Sequence, residues 1–350
     1  MRLPAEFVTS LRPSFEGRSV CVTGGAGFIG GHLVDALLSL GASICVIDDL
    51  SNSGVDHLAE LIDLDPARVR FVHGSILDPK ALSDAVSGSS MVFHLAAMGS
   101  VPKSIEEPRR AFAVNALGTV AVLEAARSAS VSRMVFASSS SIYGGEGSPP
   151  ASGANQAPAA RVETMPSNPL SPYAASKLAG EAAVRAWSRS YALPAVSLRF
   201  FNVFGPRQSS ESQYAAVVPV FARRLLAGEP STIFGDGRQT RDFTFVANAV
   251  AALLLGATAK GLEGQAVNVG TGHAVSLLEL HGLMAKRCAP AAQGRAPEPV
   301  LAPARPGDVR HSLADVSLAS RLLGYRVLVP LDAGLDETVA WYRRLFAEAP

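Results

Sequence analysis

An apolar, β-branched run from Ser19 to Thr23 ends directly on glycines at positions 24, 27 and 30, and an apolar-periodic stretch from Gly30 to Leu40 follows. Strand, glycine turn and helix in that order leave few folds open. The Gly-x-x-Gly-x-x-Gly spacing of Gly24, Gly27 and Gly30 turns the chain tightly off a strand and brings its backbone close to a pyrophosphate on the helix N-terminus. The third glycine lets helix and strand pack closely. The next strand-like run, Ser43 to Asp48, ends on a carboxylate, which suits an adenosine 2′-hydroxyl and repels a 2′-phosphate. Asp49 to Gly54 bring no arginine for such a phosphate, so the pattern predicts a dinucleotide site for NAD rather than NADP.

Further short apolar runs, Val69 to Val72, Met91 to Leu95, Arg133 to Ser138 and Ala195 to Phe200, alternate with longer segments such as Ala111 to Ala129 that carry apolar residues at helical spacing. Such alternation predicts an α/β fold, a Rossmann-like, doubly wound parallel sheet. From Asn202 the alternation fades into turns, until Gln265 to Val269 reads as one more strand, so a smaller C-terminal α/β lobe is expected over the sheet's carboxyl edge. Ser148 to Ala160 and the proline-rich Cys288 to Pro306 are expected to form neither helix nor strand.

Lys and Arg number 31 against 30 Asp and Glu, with no long basic run, so nothing marks a nucleic-acid partner. The residues Met1 to Glu16 lack a signal-peptide core, and no segment approaches the roughly 18 apolar residues of a membrane span. Cys21, Cys45 and Cys288 are irregularly spaced, and the first two lie in apolar runs that favour buried free thiols. A cytoplasmic protein with no membrane partner and no metal is expected.

Tyr173-Ala-Ala-Ser-Lys177 puts a phenol and an ammonium on one face of a helix. A lysine beside a phenol favours the phenolate, giving a base for a sugar hydroxyl near neutrality; a surface helix with a solvated lysine reads the same on the pentapeptide alone. With the glycine motif, His94-Leu95-Ala96-Ala97, Ser138 to Gly144, Arg199 to Gly205, Arg241-Asp242-Phe243 and Arg305-Pro306-Gly307-Asp308 in order, the chain resembles the extended short-chain dehydrogenase/reductase family. It is most similar to the family's nucleotide-sugar 4-epimerases and, through Gly99 to Ser104, Tyr214 to Pro219 and Arg310 to Asp315, to the bacterial group acting on UDP-N-acetylhexosamines.

The resemblance implies a catalytic set of Ser139, Tyr173 and Lys177. Around NAD it implies Gly24, Gly27, Phe28, Ile29, Gly30, Asp48, Asn52, Ser53, Gly54, Ser75, Ile76, Leu95, Ala96, Ala97, Asn115 and Phe200, besides Tyr173 and Lys177. Ser75 stands where most relatives have an aspartate for the adenine amino group. Around the UDP-sugar it implies Ser100, Ser104, Ser139, Ser140, Asn202, Ala216, Val217, Thr232, Phe234, Arg241, Arg305, Asp308 and Ser312. It also implies a division into an N-terminal extension, 1–17, an NAD-binding domain, 18–201, completed by about 240–272, and a mainly substrate-binding lobe, 202–350. A homodimer through the helix carrying Tyr173 is expected.

Ser140 and Ser141 occupy the positions where related dehydratases carry an acid and a base. The chemistry then reduces to hydride removal from C4, rotation of the 4-keto sugar about its diphosphate, and hydride return. Ser312 stands where a tyrosine in relatives excludes an N-acetyl group, so UDP-GlcNAc and UDP-GalNAc are expected substrates. UDP-glucose and UDP-galactose, UDP-glucuronate, and a catalytically idle NAD-binding regulator are the alternatives.

Overall fold

The computed structural model describes residues 3–145, 159–210, 216–288, 297–304 and 309–348. Seven strands form one parallel sheet: β1 Ser19–Thr23, β2 Ser43–Asp48, β3 Val69–His73, β4 Met91–His94, β5 Arg133–Ser139, β6 Ala195–Phe200 and, much later in the chain, β11 Gln265–Val269. Their spatial order is β11-β6-β5-β4-β1-β2-β3. The winding reverses between β1 and β4, and in such sheets the crevice beyond the strand ends at that reversal is where ligands bind. Every residue of β6 is buried, as is every residue of β1 after Ser19, the pattern of strands covered on both faces.

The helices that cover the sheet are α1 Ala5–Phe15, α2 Phe28–Ser39, α3 Asp56–Leu64, α4 Pro79–Val86, α5 Val101–Glu106, α6 Pro108–Phe112, α7 Gly118–Ser128 and α8 Pro172–Tyr191. Beyond β6 come α9 Val217–Leu226, α10 Val246–Thr258, α11 Leu277–Cys288, α12 Ser317–Leu323 and α13 Leu331–Glu348. Leu33 and Leu37 of α2 with Val250 and Leu254 of α10 fill one face; Leu82 of α4, Val122 and Leu123 of α7, and Val184 of α8 fill the other. Phe15 of α1 is wholly buried in the first of these cores. So are Phe221, Met284 and Tyr342 of the C-terminal helices, which makes the later part of the chain continuous with the sheet's own core.

The stretch 111–129, read as one helix, is broken by a π-helical turn at Ala113–Leu117 between α6 and α7. That turn buries Asn115, and Gly118 beyond it comes so close to Ile76 that an added Cβ would lie 2.6 Å from its Cδ1. Short strands complete the C-terminal part: β7 Val203–Phe204, β8 Thr232–Phe234, β9 Thr240–Asp242, β10 Thr244–Phe245, β12 Ala274–Ser276, β13 Val300–Ala302 and β14 His311–Ser312. β13 corrects the expectation for 288–306. Pro299 and Pro303 bracket three residues that keep their N–H groups and pair in parallel with β8. The 148–160 segment lies outside the described residues except for its last two positions. Cys21 and Cys45 face each other across the β1–β2 register as buried free thiols, and burial pushes both above their ordinary titration range. Among the described residues no helix is long and apolar enough to cross a membrane, and no cluster of His, Cys, Asp or Glu could hold a metal ion.

Candidate active site

Two adjoining cavities, of about 800 Å³ and 120 Å³, open at the β1/β4 reversal and share Gly24, Gly27, Leu95 and Ala97 on their walls. The glycine turn is built to leave this space free. An added Cβ at Gly24 would lie 2.5 Å from the Ala96 nitrogen, and at Gly30 2.1 Å from the Gly24 carbonyl oxygen, so neither position has room for a side chain. At Gly27 the nearest atom would be 3.3 Å away, and the residue caps α2 without any side-chain bond. Phe28, Ile29 and Gly30 of the first turn of α2 also line the larger cavity. First-turn amides have no partner within a helix, and here they border open space of the kind a pyrophosphate fills.

The smaller cavity is lined by Asp48, Asn52, Ser53, Ser75, Ile76 and Ala96. The Asp48 carboxylate accepts from the amides of Ala26 at 3.1 Å and Leu50 at 2.9 Å, tying the glycine turn to the end of β2, and burial pushes its titration up. These features fit NAD. Gly54 is exposed and outside the cavity walls. Asn115, expected beside the cofactor, is instead buried behind the wall: its Oδ1 accepts from the Met98 amide at 2.8 Å, and its Nδ2 donates to the Met98 carbonyl and to Ser176 Oγ. The sequence reading missed Lys103 and Arg110, which also line the smaller cavity.

A buried hydrogen-bond chain holds the 95–98 segment. Thr119 Oγ1 donates to the Asn115 carbonyl at 2.7 Å, so His94 Nε2 donates to Thr119 and His94 Nδ1 accepts from Thr23 Oγ1, which itself accepts from the Ala96 amide. Burial holds His94 down at about 3, neutral throughout the neutral range.

Ser139, at the end of β5, and Tyr173 and Lys177, on the first turns of α8, all face the larger cavity with Ser140 and Ser141. Ser171 caps α8 by accepting from the Ala174 amide, and Pro172 fits its first turn. A hydrogen bond with Ser139 lowers the Tyr173 titration, but burial outweighs it and the net shift is upward. The expected acidification by lysine is therefore not supplied by these side chains: Lys177 Nζ donates to the Ala137 carbonyl at 2.8 Å, lies over the Phe136 ring, and is lowered by burial to about 7.

Behind this set lies a network that sequence reading missed. Ser138 Oγ donates to Glu181 Oε1 at 2.5 Å, and Arg199 holds both oxygens of Glu181 and donates through Nη1 to the Tyr143 hydroxyl at 2.8 Å. The i,i+4 spacing of Lys177 and Glu181 was the available signal. The network fixes the end of β5 against α8 and so sets Ser139 relative to Tyr173.

Phe200, Asn202, Arg241 and Ser312 line the larger cavity from the C-terminal side, with Val309 and His311. Asp242 is wholly buried and accepts from the amides of Thr271, Gly272 and Ala314, pinning β9 beside the 312–314 segment. Two expected substrate contacts are set back from the walls. Ser100 caps α5 through the Lys103 amide, and buried Ser104 donates to the Val101 carbonyl and accepts from the Tyr173 amide at 3.0 Å; neither lines the cavity. Ala216, Val217, Thr232 and Phe234 also lie off its walls, while Arg305 and Asp308 lie outside the described residues. Arg161, which no motif marked, lines the cavity next to Tyr143 and Gly144.

A doubly wound parallel sheet, a glycine turn opening on its reversal point and a Ser-Tyr-Lys set at the same crevice define an NAD-binding enzyme of the short-chain dehydrogenase type. The chain belongs to the NAD dependent epimerase/dehydratase family, which it matches over residues 20–270. Within that family it is a nucleotide-sugar epimerase with NAD as its cofactor. It is 40% identical over 325 residues, 92% of this chain and 97% of the relative, to a UDP-glucose 4-epimerase of Mycolicibacterium smegmatis. Among solved structures it is similar to the UDP-glucose 4-epimerase of Thermotoga maritima with UDP-glucose, at 34% identity and a TM-score of 0.83 over 94% of this chain and 99% of that one. It is equally similar in fold to a UDP-N-acetylglucosamine 4-epimerase of Methanobrevibacter ruminantium in complex with UDP-N-acetylmuramic acid, at 32% identity, a TM-score of 0.83 and the same coverage.

Proposed function

We propose that this NAD-dependent UDP-sugar 4-epimerase acts preferentially on UDP-N-acetylhexosamines, interconverting UDP-GlcNAc and UDP-GalNAc. The observation that carries this preference is Ser312 on the wall of the larger cavity. A serine leaves space for an acetamido group and offers it a hydroxyl, where a tyrosine would fill the same space. The likeness to a UDP-N-acetylglucosamine 4-epimerase supports the reading; the likeness to UDP-glucose 4-epimerases supports UDP-glucose and UDP-galactose as a second pair.

Bound NAD supplies the acceptor and donor of hydride. Tyr173 takes the proton from O4 and returns it, with Ser139 sharing the hydrogen bond, and the positive nicotinamide ring of bound NAD would add the charge that Lys177 alone does not supply. Among the described residues, the larger cavity has no aspartate or glutamate on its wall. That favours epimerisation over elimination, which needs an acid and a base beside C5 and C6. For the 4-keto sugar to present its other face, the UDP end must be held firmly and the hexose loosely; Arg241 serves the diphosphate at the C-terminal wall. The expected homodimer draws support from Phe112, Leu117 and Tyr191, exposed side chains on and between α6, α7 and α8.

Incubation with UDP-GlcNAc, UDP-glucose and UDP-glucuronate separately, with resolution of the 4-epimers, tests the activity. Replacing the serine, Ser312→Tyr, is expected to lower kcat/KM for UDP-GlcNAc at least tenfold relative to that for UDP-glucose. Free turnover of UDP-galactose with UDP-GalNAc untouched by the native enzyme would overturn the preference.

A further inference from the structure

The side-chain oxygen of Ser139 accepts twice from one neighbour. The Ser141 amide donates to Ser139 Oγ at 3.2 Å, and the Ser141 hydroxyl donates to the same oxygen at 2.9 Å. A serine hydroxyl has two acceptor sites and one proton. With both sites filled, Ser139 has only its proton to give, and the group it meets on the cavity wall is the Tyr173 hydroxyl.

Ser141 is held firmly where it makes these two bonds. It lies in the 3-10 turn Ser140–Tyr143 at the end of β5, a turn whose amino end is capped by the Ser139 oxygen itself. Its carbonyl accepts from the Gly144 amide at 3.1 Å, and the Asn168 amide donates to the Ile142 carbonyl at 2.9 Å. Gly144, at a φ of +70°, stands so close to Asn168 that an added Cβ would lie 1.7 Å from the Asn168 carbonyl oxygen. Ile142 and Tyr143 are buried, and the Tyr143 hydroxyl donates to Asn268 Oδ1 at 2.7 Å.

We propose that Ser141 is a positioning residue: it fills the acceptor sites of Ser139 and so fixes that hydroxyl as a donor aimed at Tyr173. The proposal rests on the 4-epimerase reading, in which Tyr173 is the base, and deepens it. A hydroxyl that is itself accepting donates more strongly, because each bond in a chain polarises the next. The chain from Ser141 through Ser139 to Tyr173 therefore favours the phenolate, against the burial that opposes it. It also fixes the route of the proton. Ser139 has no site left to receive it, so the O4–H bond breaks and the Tyr173 O–H bond forms in one direct transfer. Lys177, committed to the Ala137 carbonyl, leaves this task to the hydroxyls.

Without the Ser141 hydroxyl the phenolate loses support, so the acid limb of the kcat/KM profile moves to higher pH. In Ser141→Ala that limb is expected to rise by about half a unit or more, leaving the enzyme about threefold slower at neutral pH and close to native in the alkaline range. Ser141→Thr, which keeps the hydroxyl, should restore the native limb. In a Ser139→Ala background, adding Ser141→Ala should cost no further activity, since the residue acts through Ser139. Titration of the phenolate absorbance in the NAD-loaded protein, taken as the difference from Tyr173→Phe, gives a readout without turnover: its midpoint should rise in Ser141→Ala. A rate loss of equal size at every pH, a further loss in the double variant, or an unmoved midpoint overturns the assignment. Should Ser141→Ala fail to melt cooperatively, Ser141→Cys, whose thiol is a weak donor, decides by the same midpoint. Absence of turnover on every UDP-hexose with a midpoint that still rises defeats the 4-epimerase reading and leaves Ser141 in place.

Discussion

Tyr173, the proposed base, sits in a setting that keeps its hydroxyl protonated at neutral pH. Burial raises its titration, while Lys177, lowered to about 7, leans on the Ala137 carbonyl. The side chains are thus arranged around the phenol without being fully set for its ionised form. Replacing the hydroxyl alone, Tyr173→Phe, is expected to reduce kcat by about 10²- to 10⁴-fold, the span of general acid–base catalysis. Calorimetric affinity for the UDP-sugar should stay close to native. Retained turnover would reassign the base, and joint loss of binding and turnover would make the residue structural.

At the scale of elements, the junction of β1 and α2 sets the cofactor geometry through contact distances. Gly30→Ala places a Cβ where the Gly24 carbonyl already stands; the turn must shift, at about 1–3 kcal/mol, and NAD affinity should fall at least tenfold in a fluorescence titration. Unchanged NAD binding would show that the turn yields without moving its amides. This junction was legible in the sequence because glycine is itself the signal. β1, β2, β6 and β11 also match their apolar runs residue for residue, since strands buried on both faces leave uninterrupted hydrophobic stretches. The π turn at Ala113–Leu117 was not legible, because one extra residue in a turn hardly disturbs apolar spacing. Hydroxyl partners were hidden for a different reason: a sequence gives no sign that the oxygens of Ser100 and Ser104 accept from the backbone amides of Lys103 and Tyr173. Arg161 follows a low-complexity stretch with no motif around it, and only folding brings it beside Tyr143. Glu181 and Arg199 lie 18 positions apart on α8 and β6, a pairing that needs the packed structure to be seen.

For the molecule as a whole, two buried histidines govern behaviour in acid. His94 and His32 are both held down at about 3 by burial, whereas in an unfolded chain they titrate near 6.5. Between those values the unfolded state binds more protons, so stability rises with pH. The contribution is fully present above about pH 6.5 and is lost as pH falls toward 3, each histidine costing about 2 kcal/mol between pH 7 and pH 5. Urea unfolding at the two pH values should show a smaller acid loss in His94→Gln than in the native chain. An equal loss in both would mean that His94 is already protonated in the fold.

The same interior holds Cys21 and Cys45 side by side on neighbouring strands, with Cys21 wholly buried and Cys45 keeping 9% exposure. An alkylating reagent can mark Cys21 only in molecules whose central strands have parted. That thiol therefore acts as a built-in clock for breathing of the sheet, and any ligand that tightens the crevice above should slow it.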